Sequence, residues 1–155
     1  MNDIYAARRS APKLFIPALG RLYAAFAPIT ELLIRLMAGG SLAFHGTQIL
    51  FGNMEGAARF FESVGFEQGL FWAWVVGILE LVCGLCLALG LLTRVAAVPI
   101  IVFLIVAIVT YHLDYGYNWE SRGFEYPLFW ALVVFHFLIR GGGAWSLDRL
   151  IGREF

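Results

Sequence analysis

The sequence predicts an all-α transmembrane four-helix bundle, with both termini cytoplasmic and short amphipathic helices at the membrane interfaces. Three observations predict it. Of the 155 residues, 61% are hydrophobic and only 14% charged, too little charge to wet the surface of a soluble domain. The apolar residues gather in four blocks, most of them matching the roughly 17–25 residues that a membrane crossing needs. Lys and Arg are split unevenly between the segments joining those blocks, and such a bias sets orientation.

Residues 1–27 form a cytoplasmic or interfacial N-terminal segment carrying Arg8, Arg9, Lys13 and Arg21. The apolar block behind it is longer than the signal-peptide core of about 7–15 residues, so it reads as a retained first span. Leu14 to Phe26, with Arg21 among apolar residues, suits a stretch lying along the inner face. Residues 28–140 form the membrane domain, with spans at 28–51, 70–92, 95–113 and 124–140. Only Leu92-Thr93-Arg94 separates the second from the third, which makes them an antiparallel hairpin. The fourth span is short, about 24 Å at a rise near 1.5 Å per residue, so thinning or flanking turns complete its crossing. Residues 141–155 form a cytoplasmic interfacial tail. In it Ser146 suits the cap of a short helix bearing Leu147, Leu150 and Ile151, with Trp145 as membrane anchor.

Eight basic residues (Arg8, Arg9, Lys13, Arg21, Arg94, Arg140, Arg149 and Arg153) fall on one side and only Arg59 and Arg122 on the other. That places loops 52–69 and 114–123 outside and both termini in the cytoplasm. In the first loop Ala57, Phe60, Phe61, Val64 and Phe66 form an apolar stripe at helical spacing, suited to an amphipathic helix on the outer membrane face. Tyr111, Tyr115, Tyr117 and Trp119 crowd the second loop as an interfacial aromatic belt. The formal net charge is zero and no nucleic-acid motif is present. Cys83 and Cys86 have redox-pair spacing but sit mid-span among Leu and Val, where small residues at a helix interface explain them.

Ionisable groups inside apolar spans are costly, and they mark functional pathways or internal pairs. Arg35 lies in the inner half of span one and Glu80 near the middle of span two, within reach of an ion pair. Glu31, one turn before Arg35, is the rival partner. Gly77 and Gly84 flank Glu80 and admit a close neighbouring helix. His45, His112 and Glu125 belong to three different spans, yet antiparallel packing puts them at similar depth beneath the aromatic loops. Ser41 and Gln48 widen the polar stripe around His45. His136 lies in the other half of span four and reads as structural.

Two imidazoles and a carboxylate suit quinone chemistry, which needs hydrogen-bond partners at two ring oxygens and a proton route. In that reading His45 and His112 hold the oxygens, Glu125 relays protons outward, and Tyr111, Phe61 or Trp119 covers the ring. The same rings suit two less favoured uses, as metal ligands or as axial ligands of a haem.

A longer series of features is distinctive in its order. It runs from Arg35 through His45-Gly46, Phe51-Gly52, Phe60-Phe61, Gly65-Phe66, Glu80 and Leu89-Gly90-Leu91-Leu92-Thr93-Arg94. It continues with His112, Glu125-Tyr126-Pro127, Gly141-Gly142-Gly143 and Ser146-Leu147-Asp148-Arg149. Over roughly residues 30 to 150 the chain resembles the DoxX family of four-span bacterial inner-membrane proteins. The resemblance implies a link to quinone or thiol redox chemistry, since relatives include a membrane subunit of a thiosulfate:quinone oxidoreductase. The basic residue often found shortly after the family's His-Gly pair is absent, because Thr47, Gln48, Ile49 and Leu50 occupy that stretch.

Together these point to an integral subunit of a quinone-linked oxidoreductase complex. The chain carries no flavin, dinucleotide or iron–sulfur domain of its own, so an electron donor belongs to a partner subunit. The alternative is a non-catalytic anchor or assembly factor whose polar core only fixes helix register. Transport is the weakest reading, because four spans leave little room for a path without oligomerisation and no broken-helix pair is evident.

Overall fold

The computed structural model describes residues 13–154, so Arg8 and Arg9 of the charge bias lie outside it. The described residues form helices and turns with no strand. The order is α1 (Leu19–Thr47), α2 (Met54–Ser63), α3 (Gly69–Leu89), α4 (Thr93–Ala107), α5 (Glu125–Arg140) and α6 (Leu147–Ile151). A π-helical turn at Gln48–Gly52 extends α1, and another at Ile108–His112 extends α4. Three helical segments are long and apolar enough to cross a membrane: Leu19–Gly52, Gly69–Leu89 and Thr93–Tyr115. α5 has 16 residues.

α1 begins at Leu19 and carries Pro28 inside it, rather than starting there. The stretch expected to lie along the membrane face thus includes the first turns of α1, where Leu22, Tyr23 and Phe26 are exposed.

The helices are apolar on their outsides. On α3, Phe71, Trp74, Ile78, Val82, Leu85 and Leu89 make one exposed stripe, three or four residues apart as a lipid-facing helix edge requires. The inward faces carry small and apolar residues: Ala38, Leu42, Leu87, Ala97, Ile100, Leu104, Val134 and Phe137 form the core.

α1 and α3 pack backbone to backbone. A Cβ on Gly39 would lie 2.5 Å from the Gly84 carbonyl oxygen, and one on Gly84 would lie 2.5 Å from the Ala43 nitrogen. Lipid tails are as apolar as Leu, so spans associate through such close packing rather than hydrophobic burial. α5 packs on α4, while α1 and α5 touch each other only slightly.

α2 is capped by Asn53, whose side chain accepts from the Gly56 amide at 2.9 Å. Its apolar stripe does not lie free on a membrane face. Phe61 meets Phe66, Phe66 meets Trp72 of α3, and Phe60 meets Tyr111 edge-on at 5.0 Å, so the stripe roofs the bundle.

At the opposite end, where α3 gives way to α4, a polar clasp joins four segments. The last carbonyls of a helix have no partner inside it, and those of α3 are answered in turn. Leu87 oxygen takes the Gly90 amide and Cys86 oxygen the Leu91 amide, a Schellman ending. Ala88 oxygen takes Arg35 Nε at 3.2 Å. Arg35 also donates through Nη1 to Gly142 oxygen and through Nη2 to Trp145 oxygen at 2.7 Å. Gly90, at φ +67°, leaves the room: a Cβ there would lie 2.6 Å from Arg35 Nη1. The start of α4 is capped by Asp148, which accepts from Leu92 N at 2.6 Å, Thr93 N at 2.9 Å and Thr93 Oγ1 at 2.7 Å. Leu92 is held at φ +49° there. Ser146 caps α6, accepting from Arg149 N at 3.2 Å.

The ion pair expected between Arg35 and Glu80 is therefore not formed. Arg35 spends its donors on backbone carbonyls at the bundle's end, including that of Ala88, which lies a little over two turns along α3 from Glu80. Its rival partner Glu31 bonds Arg140 instead, at 2.8 Å.

Candidate functional site

Glu80 sits mid-helix in α3, only 6% exposed. One of its carboxyl oxygens, Oε2, is buried and has no hydrogen-bond partner. Buried polar atoms are nearly always satisfied, so an orphan of this kind asks for an explanation. The side chain borders a cavity of about 160 Å³ that also touches Ser41, Leu42 and His45 of α1, His112, and Tyr126, Pro127 and Trp130 of α5. The cavity exists because α1 and α5 scarcely touch, leaving a seam between them that α3 and α4 close from behind.

His112 reaches the cavity from the π-helical turn after α4. Such turns add a residue per turn and rotate the side chains that follow, and they recur at functional sites. The His112 ring is oriented by a short hydrogen bond, Nδ1 to the Arg122 carbonyl oxygen at 2.6 Å. A carbonyl oxygen only accepts, so Nδ1 carries the hydrogen and Nε2 of the neutral ring is left as an acceptor. Tyr111 packs edge-on against the ring at 5.0 Å. His45 is exposed on α1 and forms the cavity's rim.

The structure thus brings His45 and His112 to one cavity, with Glu80 as the acid. Glu125 is not there. It occupies the first turn of α5, where its Oε2 accepts from the Trp119 amide at 3.2 Å, and both residues border a separate cavity of about 410 Å³. Helical geometry is the reason: neighbours on a helix point about 100° apart, and Tyr126 and Trp130, one turn apart, take the face toward the imidazoles. Tyr111 keeps its contact with His112, whereas Trp119 stays with Glu125. His136 is exposed on α5 and does not border the imidazole cavity. Cys83 and Cys86 are half-buried free thiols, with Cys83 packed against the core. Among the described residues, no group of three or more His, Cys, Asp or Glu side chains is placed to hold a metal ion.

Tyr126 and Trp130 escaped the sequence reading, although their spacing on span four was visible. Glu80 was singled out, but for a structural pair. Its depth in the span, beyond the reach of interfacial water, was the signal that it belonged to the site.

The order of motifs and this set of helices have a counterpart among known proteins. The family model described as DoxX matches residues 30–113. The chain belongs to the DoxX family. That matched segment of the DoxX protein contains Arg35, His45, Glu80 and His112. An uncharacterized membrane protein of Mycobacterium tuberculosis is 33% identical over 149 residues, covering 89% of this chain and 91% of the relative. A Bacillus subtilis protein named "Putative oxidoreductase CatD" is 32% identical over 123 residues, 79% of this chain and 87% of the relative. An uncharacterized Haemophilus influenzae protein is 33% identical across 49% of this chain and 50% of its own length. No solved structure matches this DoxX protein.

Proposed function

We propose that this DoxX protein is the quinone-handling membrane subunit of a redox complex, with its site in the cavity between His45, His112 and Glu80. One observation carries the reading: Glu80, which has a buried carboxyl oxygen without a partner, borders a cavity that two imidazoles also border. The oxidoreductase name of the Bacillus subtilis relative agrees with it.

A quinone ring offers two acceptor oxygens, and its reduced form offers two hydroxyl donors. His112 Nε2, freed as an acceptor by the Arg122 carbonyl, can take the proton of a quinol hydroxyl. His45 at the rim can bond the second oxygen and pass a proton between cavity and surface. Glu80 gives the cavity a proton acceptor or donor on its inner wall. Reduction of a quinone consumes two electrons and two protons. Oxidation of the quinol releases the same two electrons and two protons. In our reading the protons pass through these three side chains, while the electrons are exchanged with a redox group on a partner subunit.

The reading includes an arrangement in the bilayer. α5 serves as a fourth, short span, so both described termini share the side that carries Lys13, Arg21, Arg94, Arg140, Arg149 and Arg153. By the excess of positive charge that side is the cytoplasm of a bacterial inner membrane. Residues 28–140 then form the membrane domain and 141–155 its cytoplasmic tail.

The test is equilibrium binding of a tail-less benzoquinol, whose hydroxyl can donate to His112 Nε2, to protein held in lipid nanodiscs. Glu80→Leu, His45→Ala and His112→Ala should each weaken binding by about tenfold, the loss of one good hydrogen bond to a buried group. All three variants should remain inserted and monodisperse. Wild-type affinity in all three would overturn the proposal and leave the chain an anchor.

A further inference from the structure

A cavity larger than either the imidazole cavity or the one beside Glu125 lies on the other side of α4. It measures about 550 Å³ and runs between α3 and α4 beneath the aromatic roof of α2. Phe61, Phe66 and Trp72 close its top, and Val98 and Val102 form its outer edge. Its walls are apolar for most of their length, with Thr110, Tyr111 and His112 gathered at one end. Phe103, Ala107 and His112 border both this groove and the imidazole cavity. Ala107, the smallest of the three, stands at the junction.

The two compartments differ in the way an amphiphile's two parts do. The imidazole cavity, at about 160 Å³, falls well below the roughly 300–1,000 Å³ of ordinary ligand sites. It suits a ring alone. The groove falls within that range, and it offers bulk apolar contact with hydrogen-bonding groups only where it meets His112. Val98, Val102 and Val106 of its outer edge are half exposed on the bundle's apolar outside, which leaves a long chain a lateral way into lipid.

We infer that the α3–α4 groove holds the isoprenoid tail of the same membrane quinone whose ring occupies the imidazole cavity. The inference rests on the function proposed above and adds the ligand's second half: the site selects long-chain quinones, and His112 sits where ring and tail join. Tyr111 links the two parts of the protein, touching Phe60 of the roof and His112 at centroid distances of 5.0 Å each. Binding a tail would therefore press on the aromatic contact that flanks the ring-binding imidazole.

The experiment compares a polyisoprenyl quinone with its tail-less ring in nanodiscs, using Val102→Trp to fill the groove from its lipid-facing edge. The long-chain quinone should lose about tenfold in affinity, the worth of two or so buried methylenes. The tail-less ring should keep its affinity. A parallel measurement needs no variant: a photoreactive group on the first isoprene unit should label wild-type protein within residues 60–66 or 98–111. Equal effects of Val102→Trp on both quinones, or labelling confined to α5, would overturn the tail site while leaving the ring site standing. Failure of the wild-type protein to bind either quinone would overturn both.

Discussion

Arg35→Leu should cost this DoxX protein about 3–5 kcal/mol of stability, a large part of the roughly 5–15 kcal/mol that holds an ordinary domain folded. Arg35 is 2% exposed and donates to three carbonyls from three places in the chain: Ala88, Gly142 and Trp145. Leucine replaces the volume of the stem and none of the donors, so the end of α3 and the loop after α5 lose their partners together. The counterpart on the other half of the clasp is Asp148→Ala. Asp148 is 4% exposed and satisfies both free amides at the start of α4, together with the Thr93 hydroxyl. Its removal should cost about 2–4 kcal/mol, more than an ordinary helix cap because the acceptor is charged and buried. Asp148→Asn keeps one acceptor oxygen and should fall between Asp148→Ala and wild type. Unfolding in mixed micelles, followed by helical circular dichroism, measures all three. Wild-type stability of Arg35→Leu would show that water or lipid headgroups answer those carbonyls equally well. The ring-binding site lies farther along the bundle, so Asp148→Asn should bind the tail-less quinol with wild-type affinity wherever it is folded.

The clasp also shows what the sequence could and could not disclose. The three long helices, the tight turn between α3 and α4 and the Ser146 cap were legible, because hydrophobic runs and turn chemistry are local. Gly77 and Gly84 announced a close helix contact for the same reason. The partners of Arg35 were not legible. They are backbone carbonyls, which every residue owns, and two of them lie more than 100 positions away. An argument from opposite charges at similar depth led to Glu80, when the cation's needs were met by helix ends. Glu125 failed for a rotational reason. Neighbours on a helix point about 100° apart, and here Tyr126 reaches the imidazole cavity where Glu125 does not. The π-helical turn at Ile108–His112 adds a further rotation that no periodicity in the sequence records. What remained readable was the company of His45 and His112, since two rings near the same end of antiparallel spans need only roughly correct facing.

Adjacent glycines on α1 should respond in opposite directions to the same change. Gly39→Ala places a methyl group 2.5 Å from the Gly84 carbonyl oxygen and 2.8 Å from the Ala88 Cα, in a contact made of backbone on both sides. Neither helix can yield by moving a side chain, so α1 and α3 must separate along the whole seam. Overpacking of this kind costs about 1–3 kcal/mol where side chains can adjust, and the upper end or beyond applies here. Gly40→Ala meets nothing within 4 Å. It should gain up to about 1 kcal/mol, because alanine loses less backbone freedom in a helix than glycine. A shift of the two helices would also move Ser41 and Leu42, which line the imidazole cavity. Gly39→Ala should therefore weaken quinone binding even in the fraction that remains folded, while Gly40→Ala leaves it untouched. Unfolding midpoints and binding isotherms of the two variants, taken on the same nanodisc preparations, decide the matter. Equal stability of the pair would mean that α1 and α3 do not pack backbone to backbone, and with that the seam holding His45 opposite His112 would lose its support.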